Sequence, residues 1–279
     1  MRSSVSTITK TLAVTQSDGV LFIKMKSPPM NLLGAELIGD VASLINQAEA
    51  DSSIKVIVFK SGDPDYFISH VDITRIKENR DAAARLGGET SLGLMLRRLS
   101  SSRIVSIAQI EGRVRGVGSE FALACDMRFG ARGLAVFSQF EPSFGVIPGA
   151  GGAQHLTRLL GRGRALEVML SAGDYDADLA ERYGWINRAL DASEIDEFVS
   201  ALARRIAKFP TSGQVVVKEC VNAIALPSTA DIRHDSDLFL EGVRTPEYQR
   251  RAQVALRRGF QTREAELNLA QLVADLDGD

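Results

Sequence analysis

The chain has 279 residues, 45% of them hydrophobic, with a formal net charge of −2 and two cysteines. That length holds one large domain, or one domain with an appendage. The near-neutral balance gives no bulk field to attract nucleic acid or an anionic membrane. Two cysteines make no disulfide framework, and no run reaches the ~18 apolar residues of a membrane span. Residues 1–10 are polar, lack the apolar core of a signal peptide and read as loose. The expectation is a soluble, cytoplasmic protein with reduced thiols.

Residues 11–14 and 20–25 read as two strands around the Ser17-Asp18-Gly19 turn signal. Pro28 and Pro29 end the second, because proline cannot continue a ladder. A helix is predicted over 34–50, with Leu37, Val41, Leu44, Ile45 and Ala48 on one face. Residues 56–59, VIVF, form a buried strand, and 61–65 are turn chemistry. Residues 74–100 read as helical with a break at Gly87-Gly88. A third buried strand, 104–108, leads straight into a glycine-rich stretch. Short strands follow at 126–129, 134–137 and 185–187, and nearly everything else beyond residue 154 is helical. Strands alternating with helices indicate an α/β domain, with a helical appendage from about residue 210.

Two stretches could carry chemistry. The first, 112–126, reads GRVRGVGSEFALACD. Its glycines allow close backbone approach, and they run into a helix whose first N–H groups lack partners and whose positive dipole end faces outward. Glu120 sits in the first turn of that helix. The second, 138–152, reads SQFEPSFGVIPGAGG. It sets Glu141 beside phenylalanines, which would desolvate the carboxyl and raise its pKa. Two carboxyls in different surroundings let one site run acid and base roles near neutral pH. The glycines 149, 151 and 152 form neither a P-loop nor a dinucleotide fingerprint. Cys125 reads as a small core residue. His70, His155 and His234 show no metal-type spacing, so no metal is expected. His155 reads as a surface or interface residue and His234 as solvated.

Five ordered stretches now resemble the crotonase superfamily, the enoyl-CoA hydratase/isomerase group, over roughly residues 12–190. They are Pro29-Met30-Asn31 before a helix, FISHVDI at 67–73, the glycine stretch 112–126, the run 140–152 and Leu156–Gly161. The resemblance implies an α/β fold, a crotonase-like spiral of ββα units with a C-terminal helical trimerisation region. We place the core at 1–209 and the helical region at 210–279. It also implies homotrimers or hexamers and an acyl-CoA substrate, with no cofactor beyond the coenzyme A of that substrate. By position, Glu120 and Glu141 match the catalytic glutamates, and the N–H groups of Val71 and Val117 match the oxyanion hole. Ser69, His70, Asp72, Ile73, Gly116 and Gly149 are then substrate-binding candidates. Retention of both glutamates favours hydration of a 2-enoyl-CoA over double-bond isomerisation. A non-catalytic acyl-CoA- or protein-binding member is the third reading.

The chain departs from the family pattern at the oxyanion stretch. His70 replaces a glycine there, and could be a third acid/base group, a ligand contact or a packing residue. Val117 replaces a glycine and would be strained if its position required a positive φ. Arg250, Arg251, Arg257, Arg258 and Arg263 read as a solvated charged face of the tail. Arg75 and Lys77 are the better candidates for phosphate contact.

Overall fold

The computed structural model describes residues 5–276. In chain order the elements are β1 Val5–Ile8, β2 Leu12–Ser17, β3 Val20–Met25, α1 Ala35–Ala50, β4 Val56–Ser61, β5 Tyr66–Ile68, α2 Ile76–Gly87 and α3 Leu92–Ser101. There follow β6 Val105–Ile110, β7 Arg113–Arg115, α4 Val117–Ala124, β8 Met127–Ala131, β9 Val136–Ser138, α5 Gly152–Leu160, α6 Arg162–Ser171, β10 Tyr175–Asp176, α7 Ala177–Tyr183 and β11 Arg188–Leu190. The remainder is helical: α8 Ile195–Ala207, α9 Thr211–Ala225, α10 Thr229–Gly242, α11 Pro246–Arg257 and α12 Leu269–Ala274.

A seven-stranded sheet runs β1-β2-β3-β4-β6-β8-β11, and a four-stranded sheet runs β10-β9-β7-β5. From β3 to β11 the large sheet is parallel. Three successive strand pairs, β4/β5, β6/β7 and β8/β9, each place one strand in the large sheet and the next in the small one before a helix returns the chain. This is the spiral of ββα units that the family resemblance implies.

The parallel strands explain the continuous apolar runs, because both faces of a parallel sheet are covered. Ile57 and Phe59 pack with Leu21, Ile23 and α1 residues Leu37, Val41 and Ile45. Val56 and Val58 point the other way, against Ile195, Val199 and Ala203 of α8. Side-chain alternation along one strand thus serves two cores.

Three expectations need correction. Residues 5–8, read as loose, form β1, paired antiparallel with β2 from Val5↔Gln16 to Ile8↔Ala13; residues 1–4 lie outside the described residues. The turn behind β1 is held by Asp40 of α1, whose carboxylate accepts from Thr11 N–H (2.9 Å) and from the hydroxyls of Thr9 and Thr11. That partner is 29 residues away, so no local pattern signals the strand. The strand expected at 185–187 begins instead at Arg188, because Trp185 N–H still bonds the α7 carbonyl of Ala180 (2.8 Å). The strand expected at 134–137 starts later, at Val136.

Candidate active site

The glycine stretch builds its site through backbone geometry. Gly116 adopts φ 51° and ψ −128°, and α4 begins at Val117. Glycine therefore takes the left-handed conformation, and Val117 lies in ordinary helical space without the strain its side chain suggested. A Cβ on Gly118 would collide with the Ile68 carbonyl oxygen, so only glycine lets α4 approach β5 this closely. As the first helical residue, Val117 offers an N–H with no intrahelical acceptor.

Glu120, one turn into α4, is 2% exposed. Its Oε1 accepts N–H bonds from Ala150 and Gly152, both at 2.7 Å. The glycine-rich run 149–152 thus folds back to hold a carboxyl group. Glu141 opens a 3-10 turn, Glu141–Phe144, behind β9. Its Oε2 accepts from Gln139 Nε2 at 2.9 Å. Burial pushes Glu120 up to about 8, and the neighbouring charge of Glu141 adds to the rise; the two N–H bonds oppose it. Burial likewise pushes Glu141 up to about 7, opposed by its own backbone N–H, by Gln139 and by the charge of His70. Two such groups titrate as a pair.

The third contributor is the loop after β5. Leu33 N–H donates to the His70 carbonyl (2.8 Å) and Asp72 N–H to the Leu33 carbonyl (3.4 Å), a parallel bridge between Leu33 and Val71. Successive peptide groups of an extended chain alternate in direction, so the Val71 N–H turns away from Leu33. Buried Asn31 anchors the start of this loop: its Nδ2 donates to Ser61 Oγ (2.8 Å) and to the Phe67 carbonyl (3.2 Å). His70 is 1% exposed. Its Nδ1 lies 2.7 Å from Val71 O and its Nε2 2.7 Å from Glu266 Oε1. Its ring stacks on Phe260 at 4.4 Å and meets Phe140 edge-on.

These groups meet in one apolar cavity, lined by His70, Val71, Ile73, Val117, Glu120, Glu141 and Gly149 among the sequence candidates. Three other candidates stand back from it. Ser69 is fully buried behind the loop. Asp72 caps the 3-10 turn Ile73–Arg75, accepting from Thr74 N–H (3.0 Å), and also bonds Gln261. Gly116 lies beneath Glu141, Phe140 and His70 and serves through its φ. They shape the site rather than line it.

Sequence reading missed the far wall, which comes from Phe239 and Leu240 of α10, Tyr248 of α11, Phe260 in the turn after α11, and from Ile76 and Leu92. Phe140, Phe144, Tyr248 and Phe260 belong to one buried cluster with α12. No pattern in the sequence marked them, since residues 210–279 hold three aromatics, Phe239, Tyr248 and Phe260, a smaller share than the 6% of the whole chain. The tail is only in part the solvated face expected of it: Arg250 and Arg257 are exposed, whereas Arg251, Arg258 and Arg263 are half-buried. Arg263 grips Asp63 and Asp65 and donates to the Pro29 carbonyl (2.8 Å), and Arg251 donates to Ser143 O (2.6 Å). Arg75 and Lys77, expected at phosphates, pair with Glu36 (2.9 Å) and Asp81 (2.7 Å). His155 is half-buried, and burial pushes it down to about 4; His234 is exposed. Cys125 is a buried core thiol, as expected, pushed up to about 12 by that burial.

Fold and site together define a protein with paired buried carboxyls in an apolar cavity that Val71 and Val117 also line. Residues 15–259 match the family model for enoyl-CoA hydratase/isomerase, and the chain belongs to that family. It is 29% identical over 193 residues to the short-chain-enoyl-CoA hydratase of Clostridium acetobutylicum, covering 69% of this chain and 73% of that one. It is 30% identical over 236 residues to the probable enoyl-CoA hydratase of Rhizobium meliloti, covering 82% and 88%. The crystal structure of a candidate enoyl-CoA hydratase from Streptomyces avermitilis superposes with a TM-score of 0.94 at 44% identity, over 97% of this chain and 99% of that one. Among the described residues, no helix is long and apolar enough to cross a membrane.

Proposed function

We propose that the chain adds water across the double bond of a 2-enoyl-CoA. The observation that carries this reading is the pairing of two buried carboxyls, Glu120 and Glu141, in the apolar cavity that Val71 and Val117 also line. The thioester oxygen is taken to sit between the Val71 and Val117 N–H groups. Such donors stabilise the enolate that forms when the β-carbon is attacked, and each is worth roughly 2.7–4 kcal/mol. Water bonds to the β-carbon and passes its proton to the ionised carboxyl. The protonated carboxyl gives its proton to the α-carbon. The pair ends with one proton, as it began, and no cofactor is drawn on beyond the coenzyme A of the substrate.

The aromatic and aliphatic walls suit the acyl chain, with Ile73 and Gly149 among its contacts. The chain is also proposed to work as a homotrimer or a hexamer in the cytoplasm. In support of assembly, no residue of α9 is buried, and Val216, Val217, Val221 and Ile224 of that helix are 54–88% exposed. The test is turnover of crotonyl-CoA followed at the enone absorbance. Loss of absorbance with formation of the 3-hydroxyacyl product supports hydration. Migration of the double bond in a 3-enoyl-CoA, with crotonyl-CoA untouched, overturns it in favour of isomerisation.

A further inference from the structure

The cavity carries polar groups that the chemistry above does not use. Asn79 of α2 lines it and is fully buried. Its Nδ2 donates to the Asp72 carbonyl at 2.8 Å, while its Oδ1 has no hydrogen-bond partner among the described residues. Turning the amide over does not cure this, because a carbonyl would then face a carbonyl and neither can donate. Asn79 therefore offers the cavity an acceptor. A buried acceptor left unpaired is costly, and one on a cavity wall finds its donor in what enters the cavity.

Ile73, Ile76, Asn79 and Arg80 form a stripe of cavity lining that leads away from Val71 along α2. Asn79 stands one turn past Ile76, roughly 4.5 Å further along the axis. Tyr248 of α11 faces this stripe: it lines the cavity, and it shares an adjoining groove with Ile73, Ile76 and Arg80. Its hydroxyl has no partner among the described residues. Burial pushes that hydroxyl up to about 12, so it keeps a proton to donate. The serines nearby are spent. Ser236 Oγ donates to the Gly149 carbonyl at 2.7 Å, and Ser91 Oγ lies 3.1 Å from Ser236 Oγ, so each gives its one proton within the protein. Arg80, held by Thr90 Oγ1 at 3.5 Å, sets a positive charge beside Asn79 and turns away an ammonium as the missing donor.

We infer that the cavity is built for an acyl group that carries a hydroxyl beyond its double bond, the hydroxyl donating to Asn79 Oδ1 and accepting from the Tyr248 hydroxyl. A neutral hydroxyl gives one bond and takes one, which is the pair of contacts on offer. A carboxylate can only accept, and would set oxygen against Asn79 Oδ1. A plain hydrocarbon would leave both groups unpaired, and a site of this kind discriminates against a ligand that lacks the hydroxyl. The inference names the substrate class for the acyl-CoA reading above and rests on that reading.

The test is calorimetric binding of saturated CoA esters, which cannot react, to the full-length protein. Two pairs are compared: 6-hydroxyhexanoyl-CoA with hexanoyl-CoA, and 3-(4-hydroxyphenyl)propanoyl-CoA with 3-phenylpropanoyl-CoA. In at least one pair the hydroxylated ester is expected to bind about tenfold tighter, and the pair that shows it tells an alkyl from an aryl substrate. Tyr248→Phe should cut that preference about threefold or more, and Asn79→Leu should abolish it. Asn79→Leu also loses the bond to Asp72; if it does not fold, the wild type and Tyr248→Phe decide alone. Equal affinities within both pairs in the wild type overturn the inference, as does adipoyl-CoA binding tighter than 6-hydroxyhexanoyl-CoA. A Tyr248→Phe protein that weakens both members of a pair equally, or neither, overturns it too. Hydration is read separately with crotonyl-CoA: preference without turnover keeps the pocket and removes the hydratase, and turnover without preference does the reverse.

Discussion

The Glu120 carboxyl oxygen Oε1 accepts the N–H of Gly152 at 2.7 Å, joining the first turn of α4 to the first residue of α5. The bond spans 32 residues and fixes which oxygen of Glu120 is left for chemistry. Oε1 is occupied by two amides, so Oε2 is the one that can face a substrate. Replacing either glutamate of the pair by glutamine keeps the shape and removes the proton transfer. We expect Glu120→Gln and Glu141→Gln each to lower hydratase kcat by roughly 10²–10⁴-fold. Affinity for a non-reactive acyl-CoA, measured by calorimetry, should change only a few-fold. Full turnover in both variants would show the pair to be bystanders.

The same burial costs stability. Glu120 has a folded-state pKa raised above that of the unfolded chain, so the unfolded state gains as pH rises from the carboxylate range through about 8. The stabilising effect of keeping Glu120 protonated is present at low pH and lost above that window. Glu120→Gln should therefore melt higher than wild type at pH 8–9, by roughly 2–4 °C for each kcal/mol gained, and close to wild type near pH 4. Scanning calorimetry at the two pH values decides it, and an equal difference at both would refute the linkage.

Gly118→Ala places a methyl group against the Ile68 carbonyl, where backbone faces backbone and nothing can swing aside. We expect a loss of about 3 kcal/mol by urea unfolding. Crotonyl-CoA turnover should fall as well, because α4 carries both Val117 and Glu120. Gly133→Ala, where a Cβ meets nothing within 4 Å but the φ is +74°, should cost less and leave activity intact.

Arg263→Ala releases the clamp on Asp63, Asp65 and the Pro29 carbonyl. Exposed pairs contribute little on their own, but this one fastens the tail that supplies Phe260 and Glu266. Amide exchange should quicken first across 260–276, with a smaller global loss of stability. Uniform exchange rates in the variant would mean that the tail is held elsewhere.

Val217→Asp with Ile224→Lys puts opposite charges on the exposed apolar face of α9, where neither side chain supports the monomer's core. Light scattering is expected to report a smaller assembly than wild type with unchanged far-UV circular dichroism. An unchanged mass would place the subunit contacts on another surface.

What could be read from the residues was whatever depended on local pattern or on motif order. The parallel strands announced themselves as β-branched runs because a sheet covered on both faces needs apolar side chains in every position; β3 was located to the residue and β4 from its first. Glu120 and Glu141 were legible because glycine, proline and phenylalanine surround them in the chain itself. What folding alone decided depends on neighbours far apart in sequence. β1 exists because Asp40 closes its turn. Val117 escapes strain because Gly116 absorbs the left-handed conformation. Ser69 and Asp72 sit beside the site in sequence but outside the cavity, because Ser69 is buried behind the loop and Asp72 turns to cap the next 3-10 turn and bond Gln261. Most of all, His70 was ambiguous until Glu266, 196 residues on, arrived to occupy its second nitrogen. A side chain's chemistry is set by what lies within a few ångströms of it, and only the folded chain brings those groups together.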